Sequence, residues 1–171
     1  MADQRLIPTP AIAAAPVEIG NTRLAPRLSE GVHVLVLREG DPAALGPLPE
    51  IGRSAATRLG GVVLRLSRER AMLIGRGPAP APSPSFHSLD QTGFWAMISL
   101  EGSSARGVLE RHWRPDLDDA AFPPGSVAQS GLSAVPVTLF RETAEGYLIL
   151  APRSYAAWLF GELATTLRWV G

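Results

Sequence analysis

Residues 94–113, FWAMISLEGSSARGVLERHW, decide the fold. Phe94 to Leu100 is a seven-residue run, apolar on both faces, which reads as a buried strand. Glu101-Gly102 breaks it, and Ser103 is placed to cap a helix. Ala105, Val108, Leu109 and Trp113 then follow at i, i+3, i+4 and i+8, one face of that helix. Arg114-Pro115 ends it, because the residue before a proline is pushed out of helical geometry.

Downstream, Pro123-Pro124-Gly125 fits a type II turn with Pro124 and Gly125 at its centre. Strands are expected at about 126–131, 135–141 and 147–151. A last helix opens near Pro152 with Ser154 as cap. Its expected apolar stripe is Tyr155, Trp158, Leu159, Leu163, Leu167 and Val170. The order β-α-β-β-β-α predicts an α+β lobe over 88–171, with helices packed on one face of an antiparallel or mixed sheet.

Upstream, Val32 to Leu37, Val62 to Leu66 and Ala71 to Ile74 read as strands, and a helical turn is expected near Ala55 to Leu59. These make a first α+β lobe over 31–76. Residues 77–87 begin GPAPAPSPS, an extended Pro-rich linker. Residues 1–30 hold Pro8, Pro10, Pro16 and Pro26, which disfavour helix, so the segment reads as an extended Pro-rich arm. Its apolar residues Leu6, Ile7, Ile12, Val17 and Ile19 point to an arm that docks on something.

Composition narrows the function. The 171 residues carry 16 basic and 16 acidic side chains, a formal net charge of zero. Nucleic acid and anionic membranes both select for excess positive charge, so neither is expected as a partner. There is no Cys and no Lys; all 16 basic residues are Arg. That excludes a disulfide framework, a thiol nucleophile, a Cys-based zinc site, a phosphate-loop lysine and a Schiff base. No basic-then-apolar leader opens the sequence and no apolar run is long enough to span a bilayer, so a cytoplasmic location is expected.

Candidate chemistry is thin. His33 opens a strand, His87 follows the Pro-rich stretch, and His112 sits near a helix end, where a capping role is expected. Asp116, Asp118 and Asp119 are the acidic cluster. An EF-hand would need Gly and Glu where Ala121 and Val127 stand, so a solvated turn is the preferred reading. Gly75-Arg76-Gly77 leads into Pro-rich chain, not a helix, and so fails as a dinucleotide loop. Ser126 and Ser130 lie near glycines without forming a G-x-S-x-G elbow. No catalytic, cofactor-binding or metal residue is assigned.

One ordered series of motifs is specific. Asp90-Gln91, Leu100-Glu101-Gly102, Ala105-Arg106 with Val108-Leu109, Pro115-Asp116-Leu117, Ala121 to Gly125, and Pro152-Arg153-Ser154-Tyr155-Ala156 with Trp158 resemble the gamma subunit of heterotetrameric sarcosine oxidases. The first lobe agrees more loosely, through Leu45 to Pro49 and the strand Glu69 to Gly75. The chain departs from that pattern at Thr92-Gly93 and at Glu110 to Trp113. The resemblance implies a reduced relative of the aminomethyltransferase (T-protein) fold, two small lobes of ferredoxin-like character. It also implies a non-catalytic subunit that stabilises a complex with alpha, beta and delta partners. Such a complex oxidatively demethylates sarcosine or a related N-methyl amino acid and passes the one-carbon unit to tetrahydrofolate. FAD, FMN, NAD and zinc are expected on the partners and none on this chain. The alternatives are an autonomous folate-dependent aminomethyltransferase-like protein and a free-standing adaptor.

Overall fold

A strand that is apolar on both faces must lie between two cores, since successive side chains alternate sides. In the computed structural model, strand β8 (Trp95–Glu101) does so. Ala96, Ile98 and Leu100 enter one hydrophobic cluster and Met97 enters another. The structure describes residues 10–27, 30–38, 45–77, 80–81 and 83–171. Leu6, Ile7 and Pro8 of the expected arm, and Pro78, Ala79 and Pro82 of the Pro-rich stretch, lie outside the described residues.

β8 is central in a six-stranded sheet. Its order is β1 (Val17–Ile19), β2 (Thr22–Arg27), β8, β11 (Gly146–Pro152), β10 (Val135–Arg141) and β9 (Val127–Leu132), all antiparallel. A second sheet of five antiparallel strands runs β4 (Ser54–Thr57), β5 (Gly61–Arg65), β6 (Arg70–Gly75), β3 (Gly31–Leu37) and β7 (Phe86–Asp90). Helices α1 (Ala105–Glu110) and α2 (Arg153–Val170) cover the outer face of the first sheet, with Leu109, Leu159 and Leu163 in its core. Met97, Phe140 and Leu150 meet Val32, Val34 and Met72 between the sheets. Leu45, Leu48 and Leu59 close the far face of the second sheet over Leu35 and Phe86. The fold is α+β.

From Val17 to Arg27 the Pro-rich arm is built into the first sheet. Leu24 is fully buried in the helix-side core, opposite Leu100. Pro26 lies beyond the β1 pairing, where β2 has a free edge and no N–H is required of it. Residues 54–57 form a strand where a helical turn was expected. Ala55 pairs with Val63, and cross-strand pairing overrides alanine's helical preference.

The helices also differ from expectation in detail. α1 ends at Glu110, and Trp113 leaves it to bridge Leu132, buried in the core. Neither helix is capped by its own serine. Thr22 Oγ1 accepts the Ser104 N–H at 3.0 Å, while Ser103 donates to Asn21 Oδ1 at 2.6 Å, so the β1–β2 turn caps α1. Gly102 has φ 116°, and a Cβ there would run into the Asn21 carbonyl, so this junction requires glycine. α2 buries Ala156, Leu159, Phe160, Leu163, Ala164 and Leu167, whereas Tyr155 and Trp158 of the expected stripe are half exposed.

The turn at Pro123–Gly125 has the expected geometry. Ser126 N–H donates to the Pro123 carbonyl at 3.0 Å, and Gly125 has φ 85°. Phe122, in the bend before it, donates its N–H to the Asp118 carbonyl at 2.7 Å, is 7% exposed and packs in the helix-side core. Phe122→Ala should therefore destabilise the isolated chain by about 3–5 kcal/mol, as aromatic truncations in cores do. Equilibrium denaturation checks this, and a wild-type midpoint would contradict it.

Candidate functional site

Among the residues singled out from sequence, His112 acquires the most defined surroundings. It follows α1 and faces two hydroxyls, with Nδ1 2.5 Å from Ser133 Oγ and Nε2 2.7 Å from Thr166 Oγ1. The ring thus ties the end of α1 to the β9–β10 turn and to α2. Burial lowers its pKa, and the charge of Glu162 opposes this in part. A neutral ring with two hydroxyl partners is a structural tie. His33 lies on β3, 3.4 Å from Ser88 Oγ, and His87 is exposed on β7. The three histidines fall on different elements.

The acidic cluster resolves into turn contacts and one anchor. Asp116 accepts the Asp118 N–H at 2.8 Å, and Asp118 accepts the Ala120 N–H at 3.2 Å. That backbone bond, with the Arg106 guanidinium, holds the Asp118 carboxyl below its ordinary value. Asp119 meets Arg141, which is 2% exposed. Arg141 Nη1 donates to the Phe122 carbonyl at 2.7 Å. Its Nη2 donates to Asp119 at 2.6 Å and to the Ala144 carbonyl, and its Nε donates to the Thr143 carbonyl at 3.3 Å. The guanidinium also lies 5.5 Å from the centroid of the Tyr147 ring. A buried Arg satisfied in this way fixes the 116–125 loop to β10. Among the described residues no group of three or more His, Asp or Glu could hold a metal ion.

Asp90-Gln91 and the departure at Thr92 form one tie. Asp90 Oδ1 accepts both the N–H and the hydroxyl of Thr92, at 2.9 and 2.7 Å, which lowers the Asp90 pKa. Thr92 Oγ1 in turn accepts the Val32 N–H at 3.0 Å, and Gln91 Oε1 accepts Trp95 Nε1–H at 3.1 Å. The β7–β8 turn is thereby locked to β3. Ser126 is buried and accepts from Arg53 Nη1 at 2.7 Å, while Ser130 lies half-buried on the edge strand β9.

One grouping was not legible in the sequence. Arg27, at the end of β2, donates from Nη1 to both oxygens of Glu142, at 2.7 and 3.0 Å, and from Nη2 to Glu30 at 3.3 Å. Burial opposes the Arg27 charge, but the two carboxylates outweigh it and raise its pKa. The triad lines a cavity of about 270 Å³ at one end of the seam between the sheets. Gly75 and Arg76 line it as well, so the failed dinucleotide motif ends at this rim. Arg27 and Glu142 are 115 residues apart, and no local spacing could have paired them. Arg27 thereby joins the end of β2 to the residue that follows β10.

The comparisons with known proteins now bear on this arrangement. No family model matches the chain, and no curated protein matches it. A chain of the heterotetrameric sarcosine oxidase from Corynebacterium sp. U-96, solved in complex with pyrrole 2-carboxylate, superposes with a TM-score of 0.80. The two share this fold. The match covers 94% of this chain and 91% of that one at 23% sequence identity. The glycine cleavage system aminomethyltransferase T from Bartonella henselae matches at TM-score 0.63 and 17% identity. That match covers 84% of this chain but 45% of the transferase, so the chain spans less than half the length of that relative.

His112 gives a pH prediction. Its folded pKa lies below the ordinary value of about 6.5, so the unfolded chain takes up the proton first as pH falls. The contribution is complete above the unfolded pKa and is lost as pH drops through the folded one. His112→Gln should therefore reduce the loss of unfolding free energy between about pH 7.5 and 5.5. An identical pH slope in both proteins would contradict the assignment.

Proposed function

We propose that the chain is a non-catalytic subunit of gamma type in a heterotetrameric sarcosine oxidase-type complex, where it stabilises the assembly. The observation that carries this reading is the two-way match. Nearly all of this chain corresponds to nearly all of one chain in an enzyme described as heterotetrameric. The polar clusters around His112, Arg141 and Asp90 support it, because each is spent on ties between the chain's own elements.

In this reading the complex demethylates sarcosine or a related N-methyl amino acid oxidatively and hands the one-carbon unit to tetrahydrofolate. FAD, FMN, NAD and zinc reside on the alpha, beta and delta partners, and the particle is cytoplasmic. No helix among the described residues is long and apolar enough to cross a membrane. An autonomous aminomethyltransferase is the weaker reading, since the matching transferase is more than twice as long as the part this chain covers.

Expression separates these readings. The chain purified alone from a flavin-replete host should carry no stoichiometric flavin and oxidise no N-methyl amino acid. Co-expressed with the flavoprotein subunits, it should elute with them, and the particle should demethylate sarcosine or a close analogue. Flavin bound to the lone chain, or folate-dependent one-carbon transfer by it, would contradict the proposal.

A further inference from the structure

The outer face of α2 is the surface that the fold leaves unexplained. At about 100° per residue, Tyr155, Trp158, Glu162, Thr165 and Trp169 fall within an arc of about 80°, roughly opposite the buried face. Tyr155 is 52% exposed, Trp158 51% and Trp169 84%. Phe94, 52% exposed, lies beside the start of the helix, where its carbonyl accepts the Arg153 N–H at 2.8 Å. The solvated side of an amphipathic helix ordinarily carries charge. Here the one charged residue in the arc is Glu162.

We propose that this face is where the chain docks on the flavoprotein part of its complex, with Tyr155, Trp158, Trp169 and Phe94 as the anchors. The inference rests on the oxidase reading above and deepens it by naming the surface. Trp and Tyr are the side chains that most often dominate interface energies. A helix of 18 residues is about 27 Å long, so a stripe some 10 Å wide offers about 270 Å². That is about a third of the roughly 800 Å² each partner contributes to a stable interface, a proportion suited to an anchoring centre within a wider rim.

Charge selects the occupant. Glu162 lies midway between Tyr155 and Trp169, so a twofold pairing of this stripe with a second copy would set the two Glu162 carboxylates against each other. Isologous packing is therefore disfavoured, and a different protein is favoured. That protein presents an apolar face with one hydrogen-bond donor or cation opposite Glu162. A helix that lies in a membrane interface carries Lys or Arg on its polar face, whereas α2 buries the opposite face in its own core.

The test uses the full chain, tagged and co-expressed with the flavoprotein subunits from the same genome. The readout is flavin absorbance retained per tagged chain. The Trp158→Glu/Trp169→Glu variant should melt like wild type, since both side chains are exposed, and retain about tenfold less flavin or lower still. Ile51→Glu, an equally exposed apolar position on the loop before β4, should retain as much as wild type. If the double variant does not fold, Trp169→Glu alone carries the test.

If the wild-type chain retains no flavoprotein, the oxidase reading falls and the docking face falls with it. If wild type and the double variant retain it equally, or Ile51→Glu loses it too, the docking face alone falls. A wild-type homodimer dissolved by the Trp substitutions, or Trp-dependent binding to phosphatidylcholine vesicles, would also overturn the inference.

Discussion

Burial of the first sheet on both faces is the constraint from which the rest of the structure follows. β8 hydrogen-bonds to β2 on one side and β11 on the other. Its Ile98 side packs under the helices and its Met97 side packs against the second sheet. A sheet sandwiched in this way cannot tolerate charge in its middle, because desolvation would cost more than any pairing returns. Two of its arginines sit where strands end. Arg141 closes β10 on loop carbonyls and Asp119, and Arg27 closes β2 on Glu142 and Glu30.

This arrangement explains why the motifs that carried the family resemblance are structural. Asp90 to Thr92 locks the β7–β8 turn to β3, Gly102 lets the β1–β2 turn press against the entry to α1, and Pro124-Gly125 steers the chain into β9. Each is a place where geometry admits few residue types. A series of such places in one order marks a fold even when overall identity is low. It does not by itself mark a chemistry.

The parts of the fold that were legible were those governed by local periodicity. β8, β10, β11 and α2 all carry unbroken apolar patterns, and the turn before β9 carries its own signature. Where the sequence was misread, contacts from elsewhere decided. Alanines 55 and 56 became strand because β5 was available to pair with them. Residues 17–27 became strands because β8 had a free edge. Trp158 follows the helical period yet stays half exposed, because the buried face of α2 is filled by Leu159, Leu163 and Leu167 with Phe160 and the two alanines. The Arg27–Glu142 tie was out of reach of any reading by spacing.

Under the reading proposed above, a chain whose largest exposed aromatics lie along one helix is held by something larger. The mass of the native particle tests this most directly. Sedimentation or light scattering on gently lysed native cells, with this chain detected by antibody, should place it in a particle several times its own 18.2 kDa that also contains flavin-bearing chains. If all of it runs as a monomer or homodimer of 18.2 kDa chains while the cells demethylate sarcosine normally, the account is wrong.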